Sequence, residues 1–275
     1  CRFIYFALFP FKLEIIIPKE QQKSDSTLVS QLIIVAHQGT GKTTAVSKLD
    51  SCLLLDYENG SNQVSGLKLN LIKEANLAGV SLLKTHFETV EAIKKANQEA
   101  GKFVYRYLAI DNVTALEKLA RTKATIDFKN SIVGKGMMNK GAIINDVVSD
   151  VPESGYLWLN KAWDDLYTSL QGLVSDAIIW IAHSKQGSMM KDGVKLEASD
   201  MQLTGKCKLD LLRDVDACGK MYKKDNNTVM LSFKTNERDL TIKSRASHLT
   251  DTEFIFSQKD EKGNITVNWN KIFLK

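Results

Sequence analysis

Residues 32–44 read Leu-Ile-Ile-Val-Ala-His-Gln-Gly-Thr-Gly-Lys-Thr-Thr, and no other stretch restricts the fold as tightly. Four apolar residues, three of them β-branched, predict a buried strand; a glycine-containing turn follows, and Lys42-Thr43-Thr44 opens a helix. A strand, a glycine turn and a helix in that order form a phosphate-binding loop. Successive backbone N–H groups and the positive end of the helix make a concave anion site. The triphosphate contacts fall to Gln38, Gly39, Thr40, Gly41, Lys42, Thr43 and Thr44, with Lys42 reaching the β and γ phosphates and the Thr43 hydroxyl available to Mg2+. The pattern G-x-x-x-x-G-K-[ST] is met except at its first position, where Ala36 stands. A methyl group is tolerated there if the residue keeps a negative φ, whereas Gly41 is retained where the backbone wraps the phosphate.

The chain has 275 residues, enough for one large domain with an appendage. Lys and Arg number 37 against 32 Asp and Glu, a net charge of +5 that permits a polyanionic partner without requiring one. Cys1, Cys52, Cys207 and Cys218 show no C-x-x-C spacing and the four histidines are scattered, so reduced thiols and no zinc site are expected, in a cytoplasmic setting. Residues 1–18 are strongly apolar, but Pro10, Lys12 and Glu14 interrupt them and no small-residue cleavage site follows. A leading strand over residues 11–17 is therefore expected in place of a membrane segment. Residues 1–29 then form a strand and linker ahead of a main domain over 30–250, with a terminal β-hairpin over 251–275.

Downstream, residues 52–55 predict a second strand ending in Asp56-Tyr57-Glu58-Asn59-Gly60. Carboxylates at the end of a parallel strand suit general-base chemistry at Glu58, or simply cap the turn into Gly60. Leu67, Leu69 and Leu71 alternate as in an edge strand, and residues 89–100 predict a helix with Thr89 as its N-cap and Gly101 at its end. The strand over residues 105–110 ends in Asp111, which in combination with the phosphate loop is placed to hold Mg2+ opposite Thr43. Residues 122–156 interleave Lys123, Lys129, Lys135 and Lys140 with Gly134, Gly136 and Gly141, predicting a long loop that is either plain surface or a contact for a nucleic-acid backbone. A helix over 157–174 is expected to bury Leu159, Trp163, Leu166, Leu170 and Leu173. The strand over 177–182 ends at His183, which either touches a γ phosphate or is structural. A second polar loop is predicted over 186–204, then a helix over 205–215. Strands are expected over 217–223, 228–235 and 240–245, with a turn at residues 225–227. Lys243 and Arg245 share one strand face, as solvated cations or as a pair that reaches a neighbour's nucleotide.

Taken in order, these motifs resemble the RecA-like P-loop ATPases, and most closely the compact phage ATPases that act with single-strand annealing and recombination systems. Leu-Leu-Leu-Asp56-Tyr-Glu58 is similar to the strand bearing that family's catalytic glutamate, Tyr-Leu-Ala-Ile-Asp111 to its Walker B strand, and Ile-Ile-Trp-Ile-Ala-His183 to its γ-phosphate sensor strand. Leu-Leu-Arg-Asp-Val-Asp216 resembles the small phage members in particular. Ala36 and His183 depart from the usual glycine and glutamine. The resemblance implies an α/β RecA-like core with a central, mostly parallel sheet and a β-rich C-terminal part, binding ATP and Mg2+. It implies catalytic roles for Lys42, Glu58 and His183, and for Lys243 and Arg245 across a subunit interface, with metal contacts from Thr43 and Asp111. The two glycine-bearing loops fall where the family holds DNA.

The expected activity is DNA-stimulated ATP hydrolysis on single-stranded DNA in recombination, annealing or replication, by a filament or ring that works beside a single-strand-binding protein and away from membranes. Two rivals are a nucleotide-dependent DNA loader without significant hydrolysis and a P-loop kinase. The kinase needs a lid rich in arginine, and residues 122–156 have only Arg121 at their border.

Overall fold

A computed structural model describes residues 26–191, 194–235 and 241–274. In chain order they form β1 (Gln31–Ala36), α1 (Lys42–Val46), β2 (Cys52–Asp56), β3 (Lys68–Asn70), α2 (Leu71–Ala78), α3 (Leu82–Ala100) and β4 (Tyr107–Asp111). Next come α4 (Val113–Asn130), α5 (Ile132–Asn139), α6 (Val147–Asp150), α7 (Gly155–Ser169), β5 (Ala177–Lys191), β6 (Val194–Met201) and α8 (Gly205–Asp214). The chain finishes with β7 (Ala217–Lys223), β8 (Thr228–Ser232), β9 (Lys243–Ser244), β10 (Glu253–Lys259) and β11 (Ile265–Val267). The strand expected over residues 11–17 lies outside the described residues.

The strands line up as β11-β10-β8-β7-β1-β5-β4-β2-β3. From β7 to β3 every pairing is parallel, and β8, β10 and β11 continue the sheet antiparallel. β1, β2 and β4 are buried on both faces almost throughout, which is why they read as unbroken apolar runs. Alternate residues feed two cores. Ile33, Val35, Leu55 and Ile110 pack under the helical layer with Leu116, Phe128, Leu159 and Trp163. Leu32, Ile34, Leu54 and Ala109 pack on the other face with Ala45, Phe233, Phe256 and Trp269. The C-terminal strands belong to this same sheet, and the Trp269 indole donates to the Ala45 carbonyl at 2.9 Å, tying the chain end to α1.

Several local expectations are corrected. The helix predicted over 89–100 begins seven residues earlier, because the Ser81 hydroxyl accepts from Lys84 N and caps it; Thr89 is buried in its middle. Leu71 is not strand but starts α2, with Asn70 as the cap.

The largest correction concerns residues 122–156, which are helical over most of their length. Lys123 pairs with Asp127 at 2.6 Å and Asp165 at 2.7 Å, and Arg121 pairs with Asp146, which caps α6. Gly134 is present for close packing: a Cβ there would overlap the Phe128 carbonyl oxygen. Residues 186–204 are likewise no loop. Residues 184–191 and 194–201 instead pair as the β5–β6 hairpin, from Ser184↔Met201 to Lys191↔Val194, with Met201 buried in the core at its base.

The two glycines of α5 separate packing from flexibility. Gly134→Ala is expected to destabilise by about 1–3 kcal/mol through overpacking. At Gly136 an added methyl group would meet nothing within 4 Å. Gly136→Ala is therefore expected to be neutral or stabilising by up to about 1 kcal/mol. Denaturant unfolding of both variants checks this; equal effects would contradict the packing account.

Candidate nucleotide site

The sheet register brings four chain segments to one level. Ala36 pairs with His183, Asp56 with Asp111, and Asp111 with Ile181, so β1, β2 and β4 end at one level, which β5 passes at His183. Ligands of open parallel sheets bind outside the carboxyl ends of strands, where neighbouring connections diverge. Here β1 is that point, because β5 and β7 flank it and the chain leaves it for β2, two strands beyond β5.

The turn after β1 has the conformation the motif requires. Gly39 and Gly41 have φ of 71° and 97°, values that favour glycine, while Ala36 is an ordinary strand residue, so its methyl group is accommodated. The Thr40 hydroxyl closes the turn on the His37 carbonyl at 2.8 Å. Lys42 is buried and folds back, donating to the carbonyls of Ala36 (3.2 Å) and His37 (2.9 Å). Burial lowers its pKa, against the opposing pull of Asp111 and Glu58. Gln38 is exposed on the turn, and Thr44 lies in α1, where its carbonyl accepts from the Ser47 hydroxyl.

Thr43 and Asp111 meet as expected, the hydroxyl donating to Asp111 Oδ2 at 2.6 Å. Burial raises the Asp111 pKa, and the Thr43 hydrogen bond opposes the rise. A hydroxyl and a carboxylate at hydrogen-bond separation beside a phosphate loop form a hard oxygen donor pair of the kind Mg2+ takes. A bound cation would favour the charged form of Asp111 that burial disfavours.

The two carboxylates of the β2 end divide their work. Asp56 is fully buried and accepts the backbone N–H groups of Glu58, Gly60 and Ser61, so it is the turn cap. Glu58 instead reaches across the site, its Oε2 lying 3.1 Å from His183 Nε2. His183 Nδ1 faces Lys42 Nζ at 3.3 Å, and Asn112 Nδ2 lies 2.7 Å from His183 Nε2. Lys42 can only donate, so Nδ1 accepts from it and the ring proton sits on Nε2, directed at Glu58; the Asn112 amide N–H then also donates to Glu58, not to the protonated Nε2. The His183 hydrogen bond holds Glu58 below the ordinary carboxylate range; desolvation opposes it and Asn112 adds to it. Glu58 is thereby kept in its basic form.

Asn112 is a site residue the motif reading passed over. Its Oδ1 caps α4 through Ala115 N at 2.9 Å, which an Asn before a helix signals; its amide reaching His183 is visible only once β4 and β5 are adjacent. Tyr57, beside Glu58, is anchored in the helical layer: its hydroxyl lies 2.7 Å from His86 Nδ1, and His86 Nε2 lies 2.9 Å from the Ser169 hydroxyl. A cavity of about 590 Å³, lined in part by Gln38, Tyr57, Glu58 and Lys118, opens next to this group. A larger one, about 770 Å³, lies at the other end of the strands beside Asp50, Arg106 and Trp269, away from the phosphate loop.

The structure does not bring Lys243 and Arg245 to this site within one subunit. β9 pairs with the start of β7, Lys243 facing Cys218, which in turn faces Ile33. That is three strand positions short of Ala36, about 10 Å. Arg245 lies further down and donates to the Arg213 carbonyl. The described cysteines, Cys52, Cys207 and Cys218, are buried and unpaired, and burial pushes each thiol up to about 12. Among the described residues no helix is long and apolar enough to cross a membrane.

A P-loop turn, a Thr–Asp pair beneath it and a polarised carboxylate across from it define an ATPase-type P-loop domain. A family model described as an AAA domain matches residues 30–250, most of the chain, and the protein belongs to that family. Membership points to nucleotide binding and ATPase activity. No curated protein matches the sequence.

His86 makes the site's scaffold sensitive to acid. Burial depresses its pKa from 6.5 to about 4, so the folded protein holds it neutral while the unfolded chain binds the proton first. Its contribution to stability is complete above pH 6.5 and is lost as pH falls towards 4, a difference of about 3 kcal/mol at 1.36 kcal/mol per unit. Urea unfolding at pH 7.5 and 4.5 is expected to show His86→Gln losing less stability on acidification than wild type; parallel losses would contradict the assignment.

Proposed function

We propose that the protein is a RecA-like ATPase that hydrolyses Mg2+–ATP and couples it to single-stranded DNA, in recombination, annealing or replication of the phage type. The observation that carries this reading is the position of His183. It lies between Lys42 and Glu58 at one end, and its strand continues without a break into the β5–β6 hairpin at the other.

In this reading the backbone of residues 38–41 and Lys42 hold the phosphates, Lys42 exchanging its carbonyl partners for phosphate oxygens. Glu58, kept ionised by its lowered pKa, accepts a hydrogen bond from the attacking water, aligns it and takes its proton as the bond to phosphorus forms. Thr43 and Asp111 would hold Mg2+, which neutralises charge on the phosphates when bound. His183 exchanges its Lys42 contact for the γ phosphate, and the hairpin, whose sequence carries Lys185, Lys191 and Lys195, is the DNA-facing output. The helical segment 122–156, with Lys129, Lys135 and Lys140, supplies a second basic surface in place of the mobile loop. Lys243 and Arg245 serve a neighbouring subunit's nucleotide in a filament or ring, since neither reaches its own. A single-strand-binding protein is the expected companion, in the cytoplasm.

Phosphate release with and without single-stranded DNA tests the reading. Wild type is expected to be stimulated by DNA, and Glu58→Gln to lose at least about a hundredfold in turnover while still binding ATP. Normal nucleotide binding with no DNA effect would remove the DNA assignment; full activity in Glu58→Gln would remove Glu58 as base.

A further inference from the structure

The hairpin is held at its base by α4, the helix that starts at the nucleotide site. Asn112, the cap of α4, follows Asp111 directly and lies against His183. One residue into the helix, the buried Thr114 hydroxyl donates to the Gln202 carbonyl at 2.7 Å. Gln202 N in turn donates to the His183 carbonyl at 2.8 Å, closing the mouth of the hairpin. A turn further, the buried Glu117 carboxylate accepts Thr204 N with both oxygens, at 3.1 and 3.3 Å. Thr204 is the N-cap residue of α8 and makes no side-chain cap bond of its own. Glu117 therefore sets a negative charge at the positive end of α8, the favourable sense for a helix dipole. Asp200, near the end of β6, is fixed to α8 by Lys208 at 2.8 Å.

We infer that Thr114 and Glu117 are positioning residues, through which α4 carries the state of the nucleotide site to the hairpin, in parallel with the direct route along β5. The inference rests on the nucleotide-binding reading above. A shift of the α4 start, such as a cation drawing Asp111 would cause, is passed to Gln202 by the Thr114 bond and to Thr204 by Glu117. The groups they hold, the Gln202 carbonyl and Thr204 N, are backbone atoms just past the hairpin's return strand. The hairpin then moves as a unit with the helix, without any contact between its tip and the nucleotide.

The test is hydrogen–deuterium exchange of the backbone amides of residues 184–204, with and without a non-hydrolysable Mg2+–ATP analogue, in wild type, Thr114→Val, Thr114→Ser and Glu117→Gln, with analogue affinity measured by calorimetry. The analogue is expected to slow exchange across the hairpin base in wild type and Thr114→Ser, and the slowing is expected to shrink about fivefold in Thr114→Val and Glu117→Gln, the scale of one hydrogen bond. Affinity should stay within about twofold, since neither side chain touches the phosphate loop. Either variant alone suffices if the other fails to fold. Bound analogue with an unchanged wild-type hairpin, or an undiminished response in both variants, overturns this inference alone. No analogue binding in wild type overturns the nucleotide reading and the inference with it.

Discussion

The hydrogen bond between Thr43 and Asp111 joins the two halves of the site, and its existence depends on sheet register. Thr43 is the second residue of α1, directly after the phosphate turn; Asp111 ends a strand two places away, with β5 between them. A one-residue slip of β4 would turn Asp111 to the opposite face and bury a carboxylate without its donor. The apolar runs of β1, β2, β4 and β5 hold that register by filling two cores at once. Packing on both faces of the sheet is thus what gives the site its geometry, and the charged groups are carried to it.

Once that layer is set, its polar groups constrain one another. Asp56 is committed to the backbone of the turn, which leaves Glu58 as the carboxylate free to face the site. Lys42 turns to backbone carbonyls and to His183. Burial works against the charged forms of both Lys42 and Asp111, so the site is electrostatically unfulfilled by its own residues. In the proposed reading, a triphosphate with its divalent cation would supply the missing charges of each sign. The same groups that make the turn a phosphate receptor therefore make it responsive to occupancy.

Much of this was legible in the sequence because it is local. The turn at residues 36–44, the strand ends at Asp56 and Asp111, and the burial of Trp163 follow from patterns within a few residues, whereas the strand expected to end at His183 runs on to Lys191. What was not legible depends on partners far along the chain. Lys123 looked like a solvated loop cation until Asp165, in α7, was packed beside it. Gly134 looked like a flexible joint because its carbonyl neighbour, Phe128 O, constrains it only after α5 folds back on α4. The β5–β6 hairpin read as a loop because its strands are defined by pairing with each other, which no pattern within either one displays. Asn112 gave a cap signal, but its second contact, to His183, required the β4–β5 adjacency.

The central claim is that residues 36–44, Thr43 and Asp111 form a metal-assisted triphosphate receptor. Calorimetric titration of ATP into wild type, Lys42→Met and Asp111→Asn, each with Mg2+ and with a chelator, measures it most directly. The account predicts binding in wild type that weakens at least about tenfold without Mg2+, loss of binding in Lys42→Met, and little Mg2+ dependence in Asp111→Asn. Equal affinity in wild type and Lys42→Met, or binding in wild type that is indifferent to Mg2+, would contradict it.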